Sequence, residues 1–274
     1  MDEYAFVNRA NWESRVPHHL ASIDYGVQRF IDQPDHLSDV VLFDRHRLGD
    51  IAGKDVVHLQ CHIGTDTLSL ARLGAAVTGL DFSPAALAAA RELAARCEQP
   101  VRFVESEVYD APALLGSNRF DVVYTGVGAL CWLPDIRRWA SVVAALLRPG
   151  GRLFIREGHP MLWSLADPRP DGVVAVEHPY FETARGTKFV ETSSYVAHDD
   201  PLAHPDTIQF NHGLGEIVTA LIRTGMEVTS LEEHDSVPWP ALGDQMEEVG
   251  GGEFRLRDRP ERLAASYTLQ AVKN

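Results

Sequence analysis

Short apolar runs alternate with stretches of helical spacing along most of this chain. Val56, Val57 and Leu59 form one run, which stops at Gln60. Leu68, Leu70, Ala71 and Leu73 then recur at roughly helical spacing up to Gly74, and residues 75–80 are apolar again and end on Asp81. Short apolar runs between turn residues read as buried strands, and the wider spacing reads as an amphipathic helix. Residues 56–83 therefore predict strand, tight loop, helix, strand. Parallel strands need such a crossover, which is nearly always right-handed. Both loops that follow the strands then open at the carboxyl edge of the sheet, where open α/β folds bind ligands.

The same reading extends in both directions. Ser83 followed by Pro84 predicts a helix start, Ala-rich through Ala95. Further strands are expected at 101–104, 120–124 and 152–156. A helix over 136–147 is closed by the turn Arg148-Pro149-Gly150-Gly151. Strands alternating with helices predict an α/β fold built on a doubly wound parallel sheet. Residues 8–31 carry Trp12, Val16, Leu20 and Ile23 at helix-like spacing, with Pro17 expected to interrupt them. A short helix is expected within 34–50, so residues 1–50 read as an N-terminal helical lid. Residues 160–211 are rich in proline and aromatic residues, too loop-like for a core of their own. They read as an inserted cap over the carboxyl edge, leaving 1–274 a single domain. A helix at 214–224, a strand at 226–231, a mobile loop at 238–262 around Gly250-Gly251-Gly252 and a last strand at 266–272 complete the reading.

Composition narrows the partners. The chain has 274 residues, 45% of them hydrophobic, which suffices for one large core. Its net charge of −14 argues against a nucleic-acid backbone as partner. No apolar run reaches membrane-spanning length. The polar, acidic start does not resemble a signal peptide. The three cysteines, Cys61, Cys97 and Cys131, lack metal-ligand spacing and fit a reducing, cytoplasmic setting. No metal is expected; His18, His19, His198 and His204 read as solvated surface residues. The oligomeric state stays open.

The candidate chemistry gathers at the strand tips. Gly64 permits a tight turn and close approach of a ligand. The helix after it opens with unpaired N–H groups that favour an anion. Asp81, 17 residues further on, stands where nucleotide folds place a ribose-binding acid. Gln60 and His62 occupy positions where a dinucleotide loop would have glycines. The plain alternative is a βαβ unit whose Gly64 only packs the helix on the sheet.

Taken together, the motifs resemble the class I S-adenosylmethionine-dependent methyltransferases. The resemblance rests on HLQCHIGTDTL at 58–68, GLDFSP at 79–84, FDVVYTGVGALCWLPD at 120–135, LLRPGGRLFIREGHP at 146–160 and NHGLGE at 211–216. It implies a seven-stranded, mostly parallel Rossmann-like methyltransferase sheet with one antiparallel strand near the C-terminus. It also implies S-adenosylmethionine as cofactor and a small-molecule acceptor of its methyl group. By this resemblance Gln60, His62 and Gly64 line the methionine part, Asp81 takes the ribose hydroxyls and Phe82 lies near the adenine. Glu107 accepts from the adenine amino group, Val108 lies against the ring, and Thr125 and Gly126 lie beneath the sulfonium. The chain departs from the commoner family loop at His58, Gln60 and His62, where an acid and two glycines are usual.

Methyl transfer is an in-line displacement in which orientation supplies much of the rate. A general base is needed only when the nucleophile carries a firmly held proton. His159, just past the fifth strand, is the first candidate, His212 the second, and Glu157 could orient either. The competing reading makes both histidines caps of turns or helices. Trp12, Tyr25, Cys131, Trp132, Tyr180 and Phe210 are candidate walls of the acceptor pocket, or ordinary packing residues. Two other functions are weighed: an NAD(P)-dependent oxidoreductase, which the imperfect glycine loop disfavours, and a non-catalytic cofactor-binding protein.

Overall fold

The computed structural model describes residues 2–274. Five strands follow the expected rhythm: β1 (Asp55–Leu59), β2 (Ala76–Asp81), β3 (Arg102–Glu105), β4 (Phe120–Thr125) and β5 (Leu147–Gly158). Between them lie α4 (Thr65–Arg72), α5 (Pro84–Arg96), the short α6 (Ala111–Leu115) and α7 (Ile136–Leu146). The helix starts are legible in local chemistry. The Ser83 hydroxyl accepts from Ala86 N–H with Pro84 in the first turn, and the Asp135 carboxylate accepts from Arg137 and Arg138 N–H.

The inserted segment holds α8 (Pro160–Trp163) and an antiparallel ribbon of β6 (Thr187–Val190) and β7 (Asp206–Gln209). Then come α9 (Leu214–Arg223), β8 (Met226–His234), β9 (Ser236–Val237), β10 (Met246–Gly250), β11 (Glu253–Leu256) and β12 (Ser266–Lys273). The main sheet has seven strands in the order β3-β2-β1-β4-β5-β12-β8, with β12 antiparallel to both neighbours. Strand order reverses between β1 and β4, the crevice where such sheets take ligands.

Both faces of the sheet are covered. Val57, Leu59, Val123 and Ile155 pack with Trp139 and Val143 of α7 and Leu221 of α9. Val56, Tyr124 and Phe154 pack on the opposite face with Val41, Leu48 and Leu70. Val41 and Leu48 belong to α3 (Asp39–Leu48), which Ser38 caps and which follows α1 (Glu3–Ala21) and the short α2 (Val27–Asp32).

Three expectations need correction. Pro17 does not interrupt the first helix: α1 (Glu3–Ala21) runs through it. An interior proline costs a helix about 3 kcal/mol, and here Asn8 and Arg15 before it and His19 after it anchor the helix from outside. Asn8 makes a paired contact with the Ile208 backbone, donating to its carbonyl and accepting from its N–H, both at 2.8 Å. Arg15 pairs with Glu191 at 2.5 Å. Second, residues 148–151 do not end an element but loop out within β5, between the pairs Phe120–Leu147 and Val122–Arg152. Third, 238–262 is not a loose loop. β10, β11 and β9 form a small sheet whose hairpin tip is Gly250-Gly251-Gly252, with φ of 95°, 64° and 72° that glycine adopts freely.

α1 lies against α5 and β7. Val16 packs with Ile63, Ala86 and Ala89, so the helix crosses the tips of β1 and β2.

Candidate active site

The loop from β1 to α4 carries three left-handed residues, Gln60 (φ 58°), His62 (φ 49°) and Gly64 (φ 83°). Such conformations cost a non-glycine residue roughly 1–3 kcal/mol, so the surroundings must impose them. Cys61 N–H bonds to Leu80 O at 3.0 Å, His62 N–H to Asp81 Oδ2 at 2.8 Å, and Gln60 Nε2 to Ala129 O at 2.9 Å. Gly64 has a packing reason of its own. A Cβ there would lie 2.9 Å from Ala90 Cβ and 3.3 Å from Phe103, so the glycine lets α5 and β3 approach.

Asp81 sits at the tip of β2, 6% exposed. Its Oδ2 accepts from His62 N–H, and its Oδ1 from Ser83 N–H at 2.9 Å. Burial pushes its carboxyl up to about 6, opposed by the neighbouring backbone N–H groups, Ser83's first. Each oxygen keeps a further lone pair for a ligand hydroxyl. Nearby, Gln60 Oε1 and Thr125 Oγ1 are buried without a partner. Buried polar atoms are normally bonded, so these two leave acceptor capacity unspent. Phe82 and Glu107 are half-buried, and Val108 is buried. At Gly126 a Cβ would crowd Asp66 Oδ2, at 3.3 Å.

The three groups expected to handle a proton are otherwise engaged. Glu157 is fully committed to backbone. Its Oε1 accepts from Gly128 N–H at 2.5 Å and Gly158 N–H at 2.7 Å, its Oε2 from Ala129 and Leu130 N–H at 2.8 Å each. It therefore shapes the loop after β4 and touches neither histidine. His159 caps α8: its Nδ1 accepts from Met161 N–H at 3.0 Å, which leaves the proton on Nε2, 2.9 Å from Glu233 Oε1. Burial lowers its pKa against the pull of Glu233. His212 Nε2 donates to Leu133 O at 2.7 Å, and Nδ1 lies 3.0 Å from Glu182 Oε2. Each histidine thus has both ring nitrogens turned to groups of the fold, which gives neither support as the expected base.

The expected pocket walls divide. Tyr180 braces α9: its hydroxyl accepts from Leu214 N–H at 3.3 Å. Cys131 and Phe210 border a small cavity with Leu130 and His212. Burial raises the Cys131 thiol well above its ordinary pKa, so it is no nucleophile. Trp132 Nε1 bonds to Gly128 O at 2.7 Å, and its ring meets Trp12 edge-on at 5.4 Å. Trp12 also meets His62 at 4.8 Å, and Tyr25 stacks on His19 at 4.8 Å. Thus Trp12, Tyr25, His62 and Trp132 come together, and Tyr180 stands apart.

Sequence reasoning missed His19, taken for a surface residue. It is fully buried, with Nδ1 2.7 Å from His62 Nε2 and Nε2 2.7 Å from Ser194 Oγ. The signal was present: Asn8, Asn11, Arg15 and His19 recur at helical spacing and are all buried. A polar buried stripe marks a helix that docks through hydrogen bonds rather than apolar contact.

Among the described residues no group of side chains could hold a metal ion, and no helix is long and apolar enough to cross a membrane.

Known proteins agree with this architecture. Residues 57–153 match the methyltransferase domain family. A ubiquinone biosynthesis O-methyltransferase of Cronobacter sakazakii is 36% identical over 108 residues, 39% of this chain and 44% of that enzyme. The chain thus spans less than half the length of that curated relative. The enzyme of the same description from Sodalis glossinidius is 29% identical over 215 residues, 73% of this chain and 83% of its own. The crystal structure of an S-adenosylmethionine-dependent methyltransferase from Mesorhizobium loti superposes with a TM-score of 0.60 at 20% identity. It covers 89% of this chain and 100% of that one. Residues 57–153 thus match a methyltransferase domain, and the chain has the fold of that solved S-adenosylmethionine-dependent methyltransferase, with an acid at the tip of β2.

Proposed function

We propose that the protein transfers a methyl group from S-adenosylmethionine to a small-molecule acceptor. The observation that carries this is the Asp81 carboxylate, fixed by two backbone N–H groups at the switch point with lone pairs to spare. Asp81 would take the ribose hydroxyls, with Phe82, Glu107 and Val108 about the adenine. Gln60, His62, Thr125 and Gly126 would face the methionine end, where the unpartnered Gln60 Oε1 and Thr125 Oγ1 suit its ammonium. Gly64 holds the loop through packing. The cofactor supplies a methyl on a leaving group that needs no activation. The chain's own part is to orient the acceptor and exclude water.

α1 and residues 160–211 act as lid and cap over that crevice. The names of the curated relatives favour oxygen as the methylated atom and a quinone-type acceptor. Calorimetry should find saturable binding of S-adenosylmethionine, weakened about 10- to 100-fold by Asp81→Ala through loss of charge-assisted hydrogen bonds. No binding to the intact protein would defeat the reading.

A further inference from the structure

Tyr267 of β12 is fully buried, and its Oη has no partner among the described residues. Buried hydroxyls are normally bonded. Tyr267 pairs in register with Glu157 of β5, and Ile155, two residues earlier in β5, pairs with Thr125 of β4. Residues paired across strands, and residues two apart along one, share a face. Thr125, Glu157 and Tyr267 therefore project from the same face of the sheet, and Thr125 Oγ1 also lacks a partner. Two strand spacings, roughly 10 Å, separate β4 from β12.

Tyr267 borders the small cavity behind the loop after β4, whose walls are mostly apolar: Leu130, Cys131, Trp163, Phe210 and Ile217. The polar groups beside it are engaged in the fold. Glu157 receives four backbone N–H groups. Asn211 Nδ2 donates to Pro160 O at 2.8 Å and Pro179 O at 2.9 Å, and its Oδ1 accepts from His212 N–H at 3.0 Å. His212 faces Leu133 O and Glu182. The Cys131 thiol turns to Gly128 O at 3.6 Å, and the half-buried Trp163 stacks on Trp239 at 5.4 Å. The cavity volume, about 10 Å³, takes one oxygen-sized group and no ring. A buried water needs about two to four polar partners, and Tyr267 offers one. An oxygen tethered to an apolar body needs only that one.

We propose that Tyr267 selects the acceptor: its hydroxyl bonds a neutral oxygen, carbonyl or hydroxyl, that the acceptor carries at the end away from the atom receiving the methyl group. This rests on the methyltransferase reading and adds to it what the acceptor must bear. With the sulfur towards Thr125, the methylated atom lies at the β4 end and the recognised oxygen at the β12 end. Burial first, then Glu157 and Tyr180, push the Tyr267 phenol well above its ordinary pKa, so it stays a neutral donor. A carboxylate on the acceptor would meet the Glu157 carboxylate, which disfavours it there. Because the fold has already taken this hydroxyl out of water, no further desolvation of it opposes the bond.

Tyr267→Phe keeps the ring and removes only the oxygen. The ligand-free fold loses no bond, so the urea midpoint of the variant should equal or exceed that of the wild type. Ligand-detected NMR then measures binding of cyclohexanone and of methylenecyclohexane, which differ by O for CH₂, to the S-adenosylhomocysteine complex. The ratio of the two affinities should fall about tenfold in Tyr267→Phe, the worth of one buried hydrogen bond. The whole change should lie in cyclohexanone, with methylenecyclohexane bound as before. Cyclohexanone that fails to bind the wild type, or a ratio unchanged in the variant, overturns the inference. So does a lowered urea midpoint, which would mean that the hydroxyl is already bonded, to the fold or to water. S-adenosylhomocysteine that fails to bind overturns instead the methyltransferase reading on which it rests.

Discussion

Replacing Glu157 with glutamine separates a structural role from a chemical one. The wild-type carboxylate receives four backbone N–H groups, two on each oxygen. Glutamine is nearly the same size but has one carbonyl oxygen, so two of the four N–H groups would face an NH₂ donor. A buried donor left without an acceptor costs about 1–3 kcal/mol. Two such losses amount to about 2–6 kcal/mol, a large share of the roughly 5–15 kcal/mol that holds a domain together. Urea unfolding of Glu157→Gln should show a midpoint shift of that size with an unchanged slope. Amide exchange should accelerate first at Gly128, Ala129 and Leu130. Had Glu157 served to orient a histidine base, the variant would instead unfold like the wild type and lose only turnover. A stability loss under about 1 kcal/mol would refute the clamp argued from these four bonds.

Two further outcomes test the rest of the buried polar framework. Arg156 is fully buried in β5 and meets both Glu253 oxygens, at 2.9 and 2.8 Å, tying the small sheet to the large one. Glu253→Ala strands that charge, with Asp44 Oδ2 3.9 Å away as the remaining counter-charge. It should cost about 3–5 kcal/mol in chemical denaturation, and a loss within error would contradict the pairing. Burial holds His58 and His62 at about 3, against about 6.5 unfolded. Their ¹⁵N shifts should therefore remain those of neutral imidazole through pH 5. Because the folded values are lowered, their contribution to stability is complete above about pH 6.5 and drains as pH falls towards 3. Titration of either near 6.5 would contradict their burial.

The sequence carried the sheet well because its strands are short apolar runs with turn chemistry at both ends. Ser83-Pro84 and Asp135 announced their helices by capping groups that the structure uses. Gly64 was read for half of its reason: the turn is there, but the missing Cβ accommodates Ala90 and Phe103. Pairings across long separations were not legible. Nothing local in Glu157 says that its partners are four N–H groups, three of them about thirty residues back. His159 and His212 looked available because spacing shows where a side chain is attached, not which acceptor its nitrogens meet. His19 looked solvated because a polar residue on a helix usually is. The loop after β1 and the cap, 43 and 175 residues further on, close over it. The glycine tract 250–252 signalled freedom of φ, which a hairpin tip requires as much as a mobile loop does.

The central claim is that the cofactor's sugar is held at the tip of β2, beneath α1. A crystal structure with S-adenosylhomocysteine tests it most directly. The account predicts both ribose hydroxyls within hydrogen-bond distance of the Asp81 carboxylate, the adenine beside Phe82 and Val108, and the sulfur towards Thr125. A nucleoside bound elsewhere, or a ribose whose hydroxyls leave Asp81 to its two backbone N–H groups alone, would contradict it.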